Sequence, residues 1–566
     1  MVRLPLFVAF GATILLASMF EVGDWDFWWH LRAGEFVLDT GSIPATDSFT
    51  HTFSGAPWRY SEFGGQLLLA LVHRAGGIVA VVIFKCLVVL LGFSLLLRLV
   101  FRSIVASQNP PPNIAVPIMA VSVAALASIF RLTERPEIFM FALFPASLLL
   151  LERIVKTQRR SDAAALVALM ALWANLHRSA LLGAGLVTLY ALLAWIPKVD
   201  PQLRASRRLL AIAAPLAFGA LFLNPNGIDI LSTGGGLFAG LIGGDLPYTE
   251  WAPPTVDFFV RDSPQSAVVI VVGFLVAVFR FHAVPRRVFF LFIATSIAGI
   301  ASARFIPLAA MSAAWVVSSG LASIVVPRFV AAGALALLLV ADVRLLTSRT
   351  PFPGARPVGI GLKDPWFPTA AADFLDATRP RGKLFHAFHF GGYLGWRLKN
   401  SYPVFIDGRS DTVFPRDFIS SVGRAARDGT TFGELTRKYD ASIALVSWSN
   451  RSPDWSFLAS LPDWRLAYWD DVAALYVRET DETRDWLRQH AFRALTVENP
   501  PARIAAADAE TLERLRRDVD RNVAIAPRSA RAHYVRSLVY RRLGNEVVAG
   551  EAEKAMTEIL KSRGVE

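Results

Sequence analysis

One cysteine, Cys86, stands in a chain of 566 residues, so no intrachain disulfide framework and no cysteine metal cluster can form. Charge is also scarce. Asp, Glu, Lys and Arg make up 18% of the residues and hydrophobic residues 54%, against roughly 25% charged in ordinary soluble domains, which excludes a conventional soluble enzyme. No GxxxxGK[ST], GxGxxG, HExxH or GxSxG motif occurs, which removes P-loop, dinucleotide, zincin and serine-hydrolase chemistries. The GGG at 234–236 reads as an isolated flexible loop element. No small-residue cleavage site fits before EVGDWD, so the first apolar stretch reads as a retained helix rather than a cleaved signal peptide.

What is present is a run of apolar segments followed by a region of ordinary composition. Eleven segments suit membrane crossing, at 4–22, 78–97, 113–130, 137–151, 162–176, 179–197, 209–223, 264–281, 288–302, 305–322 and 328–347. GGQLLLALV at 64–72 is too short and reads as interfacial or re-entrant. Every second connection is basic: Arg98 and Arg102; Arg153, Lys156, Arg159 and Arg160; Lys198, Arg204, Arg207 and Arg208; Arg280, Arg286 and Arg287; Arg328. The alternate connections carry Asp24, Asp26, Glu35, Asp39, Asp47 and Glu62, then Asp229, Asp245, Glu250, Asp257 and Asp262. By the positive-inside rule the N-terminus is cytoplasmic and the C-terminal region extracytoplasmic. The net charge of +12 is thereby explained by orientation, and nucleic acid is not needed.

The first outer loop, 23–77, is the richest in chemistry. Asp24 and Asp26 are interleaved with Trp25, Phe27, Trp28 and Trp29, and His30 and Arg32 follow. Carboxylates held against rings at a membrane surface are partly desolvated, which suits a general base or oxygen ligands of a divalent cation. The alternative is an interfacial aromatic belt whose acids face water. Polar residues recur where other segments reach the same side: Arg131, Glu134 and Arg135 in RLTERPEI, Asn175, His177 and Arg178 in WANLHRS, Asn224 and Asn226 in NPNG, Glu250 and Trp251 in TEWAPP, and Arg304. Ionisable groups at membrane depth are costly and mark substrate pathways. A cavity with Asp24 and Asp26 on one wall and Arg135, His177, Arg178 and Arg304 on the others suits a lipid phosphate, which guanidinium binds in bidentate fashion. The alternative is that each Arg snorkels separately to headgroups.

DWDFWWHLRAG followed by GSIP, ATDSFTHT and PWRYSEFGG, then TERPEIF, WANLH, NPNG and EW in that order, resembles the integral-membrane glycosyltransferases of the GT-C superfamily, specifically the bacterial mannosyltransferase-like and RgtA/B/C/D-like families. The resemblance covers most of residues 1–347. It implies a multi-pass helical protein of a bacterial inner membrane and cell envelope. It further implies transfer of a hexose or pentose from a polyprenyl-phosphate donor to an extracytoplasmic glycan, lipid or protein. A first-loop acid, matched by Asp24 and Asp26, then deprotonates the acceptor or helps hold a divalent cation such as Mg or Mn. His30, Arg32, Glu62, Arg135, His177, Arg178, Glu250 and Arg304 are the accompanying donor-phosphate and substrate candidates. Where relatives carry a His-Glu-Trp-like run, this chain has Tyr60-Ser61-Glu62-Phe63, which keeps the carboxylate and changes its flanks.

Residues 348–365 are Pro- and Gly-rich and read as a linker. An α/β domain follows at 366–480, with helices in FPTAAADFLDAT and FGELTRKY and strands in GKLFHAF, YPVFIDG, SIALVSW and AALYVRE. There Asp407, Arg409 and Asp411 suit either contact with substrate or an outer loop, or a salt-bridged turn. The tail, 483–566, is helical and similar to one tetratricopeptide repeat, too few for a solenoid, and reads as a hairpin docked on the α/β domain or as a protein-binding surface. Competing readings of the whole chain are a lipid-glycan polymerase or ligase, disfavoured because the long late stretch is terminal; a transporter or flippase, which predicts internal repeats not seen here; and a non-enzymatic scaffold.

Overall fold

Each of the eleven apolar segments becomes a helix. The computed structural model describes residues 3–60, 62–105, 114–197, 199–233, 252–324, 327–348, 356–448, 454–498 and 500–564. The chain falls into two units, one of 1–24, 33–43 and 59–362, the other of 25–32, 44–58 and 363–566. The first contains α1 (Arg3–Ser18), most of α2 (Phe27–Thr40, which has residues in both units), α3 (Phe63–Val105), α4 (Ala115–Leu126), α5 (Met140–Thr157), α6 (Arg160–Leu176), α7 (Ala180–Leu193), α8 (Arg207–Ala220), α9 (Pro264–Phe279), α10 (Arg286–Ala301), α11 (Ile306–Gly320) and α12 (Arg328–Thr347). Among the described residues, Phe63–Ile104, Pro136–Thr157 and Phe329–Thr347 are long and apolar enough to cross a membrane, and α1, α4, α7 and α9 are shorter apolar helices. α11 is buried along its whole length. By contrast α12 leaves Leu337, Leu339, Val340 and Val343 exposed, an apolar face that water does not favour and lipid does.

The segment at 64–72, expected to be interfacial or re-entrant, is helical and is separated from the stretch that follows by a break in α3 at Gly76 and Gly77; Gly77 sits at φ +63°, open to glycine at no steric cost. What holds this first stretch is α2: Arg74 pairs with Asp39, His73 lies 3.7 Å from Glu35, and a Cβ on Gly34 would collide with the Gln66 carbonyl. Elsewhere polar pins fix the packing. Thr13 donates to Asp342 at 2.7 Å, tying α1 to α12, and Trp315 donates to Ser103 at 3.1 Å, tying α11 to α3. Arg287, Glu152 and Asp200, from three connections that the charge pattern places on one side, meet as a single cluster, with Arg287 Nε 2.8 Å from Glu152. The Pro/Gly stretch is not a free linker throughout, because Val358 and Leu362 bridge to Phe20 and Val22.

The second unit contains α13 (Thr369–Thr378), β1 (Lys383–His386), α14 (Gly391–Arg397), α15 (Arg416–Ala425), α16 (Gly429–Lys438), β2 (Ala441–Ser447), β3 (Trp464–Trp469), β4 (Ala473–Arg478) and the helices of the tail. The sheet order is β1-β2-β4-β3, with β1 parallel to β2 and the other pairs antiparallel. YPVFIDG forms no strand. Pro403 has no N–H to give a ladder, and only Val404 bridges, to Thr50. The strand that the alternation did not reveal is β3, WRLAYW, which is buried on both faces over most of its length and so does not alternate. In the tail, α17 (Ala530–Arg542) and α18 (Glu546–Ser562) form a hairpin. It is docked through Asp471, which accepts from the backbone N–H groups of Ala530 (2.9 Å) and Arg531 (2.8 Å) and pairs with Arg563 at 2.6 Å.

Candidate active site

In the first unit polar residues from five helix ends and elbows form ion pairs. Asp24, just after α1, is buried and accepts from Arg135 Nε at 2.7 Å. Arg135 precedes the turn Pro136–Phe139 that leads into α5. At the start of α3, Glu62 lies 3.1 Å from Arg178 Nε and 3.3 Å from His177 Nε2, both on the elbow between α6 and α7. Glycines make this approach possible: a Cβ on Gly64 would stand 2.8 Å from the Asn175 carbonyl, and one on Gly65 2.4 Å from that of Leu176. Arg304, on the elbow between α10 and α11, lies 3.3 Å from Glu137, which also pairs with Arg131.

The hydrogen bonds at His177 decide its tautomer. The Ser179 backbone N–H donates to Nδ1 at 3.1 Å, so Nδ1 is an acceptor and Nε2 carries the proton toward Glu62. Burial pushes the imidazole pKa down to about 4, against the opposing pull of Glu62 and Glu137. The ring is therefore a neutral donor at neutral pH, and Arg178 supplies the positive charge beside Glu62.

The partners of two charged residues of this unit were not legible in the sequence. Lys85, inside an apolar run, is buried with its Nζ 2.5 Å from Glu134 and 3.4 Å from the centre of the Phe20 ring. Glu137 is the shared partner of two arginines. For Lys85 a signal was present, because an isolated charge in an apolar segment requires a partner, whereas Glu137 stands among Arg131, Glu134 and Arg135 and nothing set it apart. NPNG is a turn, in which the Asn226 N–H bonds to Asn224 Oδ1 at 2.8 Å and the Asn226 side chain donates to the Tyr60 carbonyl at 2.7 Å.

Asp26, His30 and Arg32 fall in the second unit, apart from Asp24 in the division of the chain. Asp26 directly precedes α2, its carbonyl accepts from His30 N at 3.2 Å, and its carboxylate is packed so closely on the 407–409 turn that a Cβ on Gly408 would overlap it. His30 is buried beside Trp29 at 3.6 Å between ring centres, and Arg32 lies 4.0 Å from the centre of the Phe49 ring. Trp28 is in an aromatic cluster with Phe367, Tyr393 and Trp396 rather than in an exposed belt. Of the two readings of the Asp407–Arg409 turn, the structure shows both parts. Arg409 pairs with Asp407 at 2.8 Å and with Asp47 of the first loop at 2.8 Å, beside Phe49 and Trp58. Burial opposes this guanidinium's charge, but Asp407 and Asp47 outweigh it and push its pKa up. Glu250 and Trp251 lie outside the described residues.

Asp24 is engaged by a guanidinium, and among the described residues no three His, Cys, Asp or Glu side chains gather as a ligand set.

No protein-family model and no curated protein matches the chain. Solved structures do. The oligosaccharyltransferase AglB from Archaeoglobus fulgidus, in complex with an inhibitory peptide and a dolichol-phosphate, superposes with a TM-score of 0.52 at 13% identity, covering 79% of this chain and 69% of that one. The same enzyme complexed with Zn and sulfate gives 0.55 at 10% identity, over 99% and 85%. ArnT from Cupriavidus metallidurans in the apo state aligns with a TM-score of 0.47 at 14% identity, over 84% and 97%. The AglB superpositions show that this chain shares the fold of that oligosaccharyltransferase.

Proposed function

We propose that this chain is a membrane glycosyltransferase that moves a sugar from a polyprenyl-phosphate-linked donor to an extracytoplasmic glycan, lipid or protein. The observation that carries the reading is the joining of Asp24 to Arg135, and of Glu62 to His177 and Arg178, at helix ends of a GT-C fold. In the reaction the acceptor oxygen bonds to the anomeric carbon, the bond from that carbon to the phosphate oxygen breaks, and the phosphate leaves as an anion. Asp24 takes the acceptor proton. Arg135, Arg178 and Arg304 stabilise the departing phosphate, each already oriented by a carboxylate that phosphate oxygens would replace. His177 positions Glu62 through its Nε2 proton. All eleven segments cross an inner membrane in this reading, with the N-terminus inside and the C-terminal unit outside.

The test is transfer by purified protein supplied with polyprenyl-phosphate sugars and membrane-extract acceptors, with and without EDTA. Asp24→Asn is expected to lower turnover by about two to four orders of magnitude, the usual effect of a lost general base. Arg178→Gln is expected to raise the KM for donor. Full activity in a folded Asp24→Asn protein overturns the assignment of Asp24, and no transfer by wild type with any donor moves the balance to a transporter or scaffold.

A further inference from the structure

At the other end of α3 from Glu62 lies a cavity of about 520 Å³, within the range that small-molecule sites occupy. Its wall is apolar on both sides, with Phe7, Phe10 and Gly11 from α1 and Leu97 and Phe101 from α3. Two cations belong to the same wall: Arg98 and Arg102, four residues apart on one face of α3 and both exposed. Phe7 and Phe101 meet at 6.0 Å between ring centres, so the beginning of α1 lies at the arginine end, and Arg3 opens that helix one turn earlier.

We propose that this groove binds one anionic phospholipid, with an acyl chain along the phenylalanines and the headgroup phosphate on Arg98 and Arg102. The charge complementarity argues for it. An apolar groove alone accepts any chain, but two adjacent guanidinium groups at its mouth select a phosphate that bears net negative charge over a zwitterion, and basic pockets between membrane helices are lipid headgroup sites. The inference rests on the membrane reading above and not on sugar transfer.

The test is native mass spectrometry of the full chain released from micelles containing equimolar phosphatidylglycerol and phosphatidylcholine with the same chains. One phosphatidylglycerol is expected to stay bound in preference to phosphatidylcholine, undisplaced by millimolar inorganic phosphate. Arg98→Gln and Arg102→Gln are each expected to weaken retention about five-fold. Gly11→Phe is expected to abolish it, because a Cβ at Gly11 meets nothing within 4 Å and the ring fills the groove. Equal retention of the two lipids, or retention unchanged in the folded Arg98→Gln/Arg102→Gln double variant, overturns the proposal. Transfer activity is read separately, so a failed lipid site and a failed enzyme assignment are distinguishable.

Discussion

At the scale of single residues, the charged groups of this chain are chosen in pairs. Arg135 faces Asp24, Arg178 faces Glu62, Lys85 faces Glu134 and Arg409 faces Asp47. A charge taken from water without such a partner costs several kcal/mol, so each pair fixes its helix ends in one arrangement. The buried histidines show the complementary strategy of staying neutral. His386 accepts from Phe405 N at Nε2 (3.0 Å), Nδ1 lies 2.9 Å from the Ala387 carbonyl, and burial pushes its pKa down to about 3. A histidine with a depressed native pKa stabilises the fold fully above its unfolded value near 6.5, and that stability is lost as pH falls below it, because only the unfolded chain takes up the proton. His386 is therefore expected to cost about 2 kcal/mol by pH 5. Thermal melts between pH 7.5 and 5 check this: the melting temperature falls with pH, and the fall is shallower in His386→Gln.

At the scale of elements, the site depends on how closely helices approach. Gly64 and Gly65 sit against the carbonyls of Asn175 and Leu176, which brings Glu62 to His177. Gly65→Ala forces the start of α3 away from the end of α6. Overpacking of this kind costs about 1–3 kcal/mol, and activity is expected to fall further than stability because Glu62 moves with the backbone. Gly185→Ala, where a Cβ meets nothing within 4 Å, is expected to leave both unchanged. Melting temperature together with turnover for the two variants is the check. Helix identity was legible in the sequence at this scale, since apolar composition over a sufficient length suffices. The pairing of Arg74 with Asp39 was not, because it joins residues distant in the sequence.

At the scale of the whole molecule, the second unit is assembled from three separate stretches, 25–32, 44–58 and 363–566. A fragment cut at 363 lacks Asp47, Trp28 and Trp58. It leaves the fully buried Arg409 without one of its two carboxylates, a loss of about 3–5 kcal/mol. Residues 363–566 alone are expected to show molten spectra and rapid proteolysis, and stable, protease-resistant folding of that fragment would contradict the division. For orientation, alkaline phosphatase fused after residue 566 is expected to be active and a fusion between α3 and α4 inactive. The reverse pattern would invert the topology argued from the basic connections.

What the sequence determined by itself was the class of protein: scarce charge, eleven apolar segments and alternating basic connections specify a helical membrane protein because they act through local composition. Asp24, Glu62, Arg135, His177, Arg178 and Arg304 were also legible as ionisable groups where apolar segments end, which need partners. Only the tertiary structure decided who meets whom. It joined Asp24 to Arg135 across 111 residues, separated Asp26 from Asp24 in the division of the chain despite two positions of sequence distance, and supplied Lys85 and Glu137 with their partners. The physical reason is that a residue's cost of burial is written in its own side chain, whereas the partner that offsets it comes from the packing of distant elements.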